Sequence, residues 1–136
     1  MDQCTLVDFW KSEGRVHLEM CCSVWHSSIT EAQSRALARV QRVAMAAITG
    51  TWAASHSQQL ADLGLEELAA RRERLCLRFA RRTATKSRHT DLFTPAPGPR
   101  FPRGPQPGIH YQEVEARTTT YFRSALPYLT RLLNGS

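Results

Sequence analysis

The side chains in this sequence best suited to chemistry are its arginines. Residues 71–88 hold eight basic side chains, Arg71, Arg72, Arg74, Arg78, Arg81, Arg82, Lys86 and Arg88, against a single acid, Glu73. That stretch carries a net charge of +7, the rest of the chain sums to −1, and the whole totals +6. A second row, Arg35, Arg39 and Arg42, recurs at i, i+4 and i+7. Only Lys11 and Lys86 are lysines. The guanidinium is planar and matches phosphate oxygens in a bidentate fork. A charged row on a helix is usually a solvated face. Two rows of nearly one sign also suit a nucleic-acid backbone, which offers closely spaced phosphates and is bound through counterion release.

Other chemistries find little footing. Two-metal nucleotidyl transfer needs clustered carboxylates, whereas the acids here are scattered and no Asp-Asp pair occurs. Cys22 and His26 stand four residues apart, a spacing that would let them meet on a helix. No second ligand pair accompanies them, so a thiol beside a helix-end imidazole is the simpler reading. His17, His56, His89 and His110 are isolated in the sequence. No glycine-rich phosphate loop or dinucleotide fingerprint is present. The expectation is a chain without catalytic residues, metal or cofactor.

The elements that must position the arginines are helical. Leu6 to Trp25 fits a helix loosely, with apolar residues at Leu6, Phe9, Trp10, Val16, Met20 and Val24. Lys11-Ser12-Glu13-Gly14-Arg15 interrupts it, and Gly14 within a helix costs about 1 kcal/mol relative to Ala. Thr30 and Gln33 have capping-box spacing. Leu37, Val40, Val43, Ala44, Ala47 and Ile48 then share one face, with the arginine row opposite, and Gly50 stands at the C-cap. Ser55 and Gln58 repeat the box spacing before a short helix, Ser57 to Leu63, closed by Gly64. A longer helix over Glu66 to Thr83 has Leu65, Leu68, Leu75, Cys76 and Phe79 as its apolar stripe. Arg71, Arg74, Arg78, Arg81 and Arg82 lie on the other side. Arg72 points into the stripe, its stem packing while its head reaches a carboxylate or carbonyl.

Beyond Thr90 the composition changes. Six of the seven prolines and three glycines lie between Pro95 and Gly108, which predicts extended linker. Helix is expected again at Arg117 to Asn134, with Tyr121, Phe122, Ala125 and Leu126 forming an apolar turn and Pro127 opening a second helix. No segment alternates as a strand does. The expected architecture is all-α: a bundle of about four helices over 1–90, a linker over 91–116 and a helical tail over 117–136.

A length of 136 residues with 42% hydrophobic and 22% charged side chains fits one small domain. No apolar run of about 18 residues suggests a membrane span. The opening Met1-Asp2-Gln3-Cys4 is unlike a signal peptide. Cys4, Cys21, Cys22 and Cys76 read as reduced thiols rather than a disulfide framework. An intracellular protein, nuclear or cytoplasmic, is expected.

Four motifs in order carry a resemblance. They are Val24-Trp25-His26-Ser27-Ser28 before the capped helix ending Val40-Gln41-Arg42, and Leu60-Ala61-Asp62-Leu63-Gly64-Leu65-Glu66-Glu67-Leu68. There follow Ala70-Arg71-Arg72-Glu73-Arg74-Leu75-Cys76-Leu77-Arg78-Phe79-Ala80 and the closing run from Arg117 to Asn134. Together they resemble the C-terminal part of reverse transcriptases of LINE-type (non-LTR) retrotransposons, from about Leu6 to Asn134. The chain departs from that pattern at residues 11–15, at Met20 and at Ser23. The resemblance implies a helical thumb and tail that hold template–primer duplex by its backbone. It carries no catalytic aspartate onto this sequence, so the implied part is non-catalytic.

The leading expectation is therefore a thumb-like fragment that grips RNA or an RNA–DNA hybrid by its phosphates. Arg71, Arg74, Arg78, Arg81 and Arg82 come first as contacts, then Arg35, Arg39 and Arg42. A polymerase palm is the implied protein partner, and the sequence leaves the oligomeric state open. The alternatives are a small helical interaction module, with Trp10, Trp25 and Trp52 contributing apolar surface, or a decayed element product without a selected role.

Overall fold

The computed structural model describes residues 2–86, 88–97 and 110–135. The chain is all-α, and its described residues hold one isolated antiparallel bridge, Pro95 with Tyr111. No described helix is long and apolar enough to cross a membrane. The helices are α1 (Gln3–Phe9), α2 (Arg15–Glu19), α3 (Cys22–Trp25), α4 (Glu31–Thr49), α5 (His56–Asp62), α6 (Leu68–Lys86), α7 (Thr119–Phe122) and α8 (Ala125–Asn134). A π-helical turn, Trp10–Gly14, joins α1 to α2, and a 3-10 turn spans Thr90–Leu92. The chain forms two compact units, residues 1–22 with 29–74, and residues 23–28 with 75–136. This differs from a division near residues 90 and 116, because the change of unit falls within α6.

In the first unit the core is Trp10, Met45 and Leu60, with Leu18, Ala44, Ile48, Leu63 and Leu65 packed against them. Gly14, which disturbs the helical pattern in the sequence, has its reason in this core. A Cβ at that position would sit 2.4 Å from Cε3 of Trp10. The missing side chain therefore lets the buried indole lie over the π turn.

The single helix expected over Leu6 to Trp25 is broken at Met20 and Cys21. Met20 turns extended (φ −55°, ψ 123°) and Cys21 takes a left-handed φ of 53°. No run of helical hydrogen bonds continues through such a residue. Of the four cysteines, Cys4 and Cys21 are exposed and Cys22 and Cys76 are buried.

Helix α4 begins as its sequence predicts. Thr30 Oγ1 accepts from the Gln33 amide while Gln33 Oε1 accepts from the Thr30 amide, a reciprocal capping box. It ends at Gly50, whose φ of 70° suits a residue without a side chain. Its buried face is rotated from the expected one. Gln41, Met45 and Ala46 are buried, whereas Val40, Val43 and Ala47 are exposed. The rotation follows from Gln41, whose polarity hid it among the surface positions. Its Nε2 donates to the Glu66 carbonyl at 3.0 Å, and its Oε1 accepts from the Leu68 amide at 3.0 Å. One glutamine thus satisfies two backbone groups at the entry to α6.

Helix α5 starts at His56, with Ser55 Oγ accepting from the Gln58 amide. Gln58 itself donates to Asp62 at 2.8 Å, so its side chain faces down the helix. Helix α6 buries Leu68, Arg72, Cys76, Ala80 and Thr83. Phe79, expected on the apolar stripe, is 47% exposed. The inward spacing runs through Arg72, Cys76 and Ala80 and leaves Phe79 outside it, and Arg72 Nη2 donates to a hydroxyl, Ser34 Oγ, at 3.0 Å.

In the second unit Phe93, Leu129 and Leu133 are buried, with Phe93 edge-on to Tyr111 at 6.0 Å. The expected linker falls partly outside the described residues. Its described flanks pair with each other, the Ala96 amide donating to His110 O and the Gln112 amide to Thr94 O. Asn134 completes the arrangement by exchanging two hydrogen bonds with the Tyr111 backbone. Pro127 is the third residue of α8 rather than its first. It is tolerated there because amides of the first turn have no intrahelical acceptor.

Candidate nucleic-acid interface

The +7 stretch divides by what the fold places beside it. Arg71 Nε donates to Glu19, its Nη1 meets Glu66 at 3.2 Å, and Arg74 also pairs with Glu66. Arg15 joins the group, 3.3 Å from Glu19. This alternating cluster is held together by burial, since the Glu19 side chain is only 11% exposed. Burial and the Arg71 charge push the Arg15 guanidinium below its ordinary range. Burial also works against the charge on Arg71, but hydrogen bonds and attraction from Glu19 and Glu66 outweigh it and raise its pKa overall. Arg71 is therefore a structural cation, and Arg74 is partly neutralised. The sequence window hid this, because Glu19 lies 52 residues before Arg71 and Glu66 just outside the counted stretch.

Arg78, Arg81 and Arg82 behave differently. They are exposed on the part of α6 that belongs to the second unit, and none has an acidic partner among the described residues. Exposed Phe79 lies beside them in sequence.

The first unit presents its own set on α4. Arg35, Arg39 and Arg42 are all exposed. Arg35 lies 3.6 Å from Glu31, both ends well solvated, so the pair is worth well under about 1 kcal/mol. Arg39 and Arg42 have no acidic partner among the described residues. With Ala38, Val43, Trp52 and His56, these arginines line an open cleft of about 560 Å³. The cleft forms because Gly50 turns the chain out of α4, and Ser55 then starts α5 and brings His56 back under the arginines.

His56 and Trp52 are site residues that spacing did not reveal. Both ring nitrogens of His56 are buried and lack a hydrogen-bond partner. Desolvation lowers the His56 pKa, Arg42 lowers it further, and Glu67 opposes both. The folded state thus favours neutral imidazole, while the unfolded chain titrates near about 6.5. Between those values the unfolded chain binds more protons, so stability rises with pH. His56 contributes stability that is complete above about pH 6.5 and is lost as pH falls towards the lowered folded value. Thermal melts of the native chain and His56→Gln across that window should show the variant with the shallower decline. Parallel declines would exclude His56 as the source.

Among the described residues no three His, Cys, Asp or Glu side chains gather as a metal site would require. Cys22 Sγ faces the Arg72 carbonyl at 4.0 Å within the first unit. His26 lies edge-on to Tyr128, 5.7 Å away, within the second. Comparison with protein-family models, curated proteins and solved structures finds no match to this chain.

Proposed function

We propose that this protein is a non-catalytic nucleic-acid-binding element that holds RNA or an RNA–DNA hybrid by its phosphate backbone. The reading follows the sequence resemblance to the thumb and tail of LINE-type reverse transcriptases. The observation that carries it is the solvent-facing set of arginines without acidic partners, Arg39 and Arg42 in one unit and Arg78, Arg81 and Arg82 in the other. Cations with no internal counterion keep their full attraction for phosphate, whereas the paired Arg71 would first have to leave two carboxylates.

Phosphate contact releases condensed counterions, so affinity must fall with salt. Filter binding to an RNA–DNA hybrid should give a log–log salt slope at least as steep as about −1.8, counting Arg39 and Arg42 alone at about 0.9 each. A slope near zero would remove the proposal.

A second reading is an interaction module that docks on a protein such as a polymerase palm. It is favoured by Phe9, Val16 and Met20, apolar residues of the first unit that remain largely exposed.

A further inference from the structure

Trp52 is 70% exposed on the loop between α4 and α5, although its indole is the largest apolar group lining the arginine cleft. No guanidinium is stacked on it among the described residues. The neighbouring arginines therefore leave its ring open, in contrast to Arg131, which covers the Phe122 ring at 3.9 Å in the second unit. An open aromatic face beside unpaired cations is the combination that binds single-stranded nucleic acid. The cations follow the phosphates and the ring stacks on a base whatever its identity. A fully paired duplex keeps its base faces stacked on one another and offers the ring only edges and backbone.

We propose that Trp52 is a stacking platform for an unpaired base whose flanking phosphates are held by Arg39 and Arg42, so that this cleft prefers single-stranded ends or overhangs to blunt duplex. The proposal rests on the phosphate-binding reading above and adds the strandedness of the ligand. Ala38 and Val43 supply apolar wall beside the ring. The His56 nitrogens are buried below the surface and make no contact with the base.

The test uses the full chain and two labelled probes, an oligouridine of roughly ten nucleotides and a blunt RNA–DNA hybrid of equal length, a size within known single-strand sites. Trp52→Ala should weaken oligouridine binding about tenfold and leave hybrid binding within about twofold, while Trp52→Phe retains most of the single-strand affinity. Equal loss on both probes, or no loss on either, overturns the stacking proposal. So does displacement of the oligouridine by polyglutamate of equal charge as effectively as by unlabelled oligouridine. The Arg39→Ala/Arg42→Ala double variant separates the two levels. If it weakens both probes while Trp52→Ala is silent, phosphate binding stands and stacking fails. If it weakens neither, Arg39 and Arg42 hold no phosphate and the proposal for this cleft falls; phosphate binding by the other unit is then read from an Arg78→Ala/Arg81→Ala/Arg82→Ala variant.

Discussion

Replacing Gln41 with Leu should destabilise the protein by about 3 kcal/mol. Leucine keeps most of the volume and adds apolar surface, so helix propensity and packing alone would rate the change as mild or favourable. What it removes is the partner of two backbone groups, the half-buried Glu66 carbonyl and the buried Leu68 amide. Leu68 is completely buried, so water cannot replace the lost acceptor. Each orphaned group costs on the order of 1–3 kcal/mol, and for a chain of this size the sum lowers the melting temperature by roughly 10 °C. Gln41→Glu keeps an acceptor for the Leu68 amide but sets a carboxyl group, at a position 1% exposed, against the Glu66 carbonyl, so it must either bury a charge or stay protonated. At acid pH, where the protonated carboxyl can donate to that carbonyl, its loss should fall between those of the native chain and Gln41→Leu. Differential scanning calorimetry of the three proteins checks the order, and a Leu variant as stable as the native chain would show that α6 finds its cap elsewhere.

The second large effect belongs to Arg71. Removing it as Arg71→Ala leaves Glu19 with Arg15 alone, and Glu66 with the more exposed Arg74. A fully buried broken pair costs about 3–5 kcal/mol. The Arg71 side chain is 20% exposed, so about 2 kcal/mol is the appropriate size. Urea unfolding should show this loss, while hybrid binding by the folded variant stays within about twofold. A variant of native stability that has lost binding would reverse the assignment of Arg71 from structure to ligand contact.

The sequence was informative where a local rule sufficed. The α4 capping box and its Gly50 terminator, the cap at Ser55 and the inward turn of Arg72 all depend on residues a few positions apart. The structure reproduces each of them. Legibility failed where distant residues decided the outcome. Gln41 reads as a surface residue until Glu66 and Leu68 stand beside it. Arg71 reads as a free cation until Glu19, the last residue before the helix break at Met20 and Cys21, stands beside it. Gly14 looks like a flaw in a helix, and only the position of the Trp10 ring explains it. Phe79 reads as an inward residue by its hydrophobicity, yet the spacing of Leu68, Arg72, Cys76 and Ala80 places it outside. Of the candidate interface, the α4 row was visible as spacing. Trp52 and His56 joined it only through the turn at Gly50, which no periodicity reports.

In the proposed function, charge without an internal partner, rather than total charge, marks the ligand surface. That reading is tested most directly by the salt dependence of hybrid binding in the Arg39→Ala/Arg42→Ala double variant. If both side chains contact phosphate, the log–log slope should become shallower by about 1.8 relative to the native chain, because two fewer counterions are released. A slope unchanged by the loss of both arginines would contradict it.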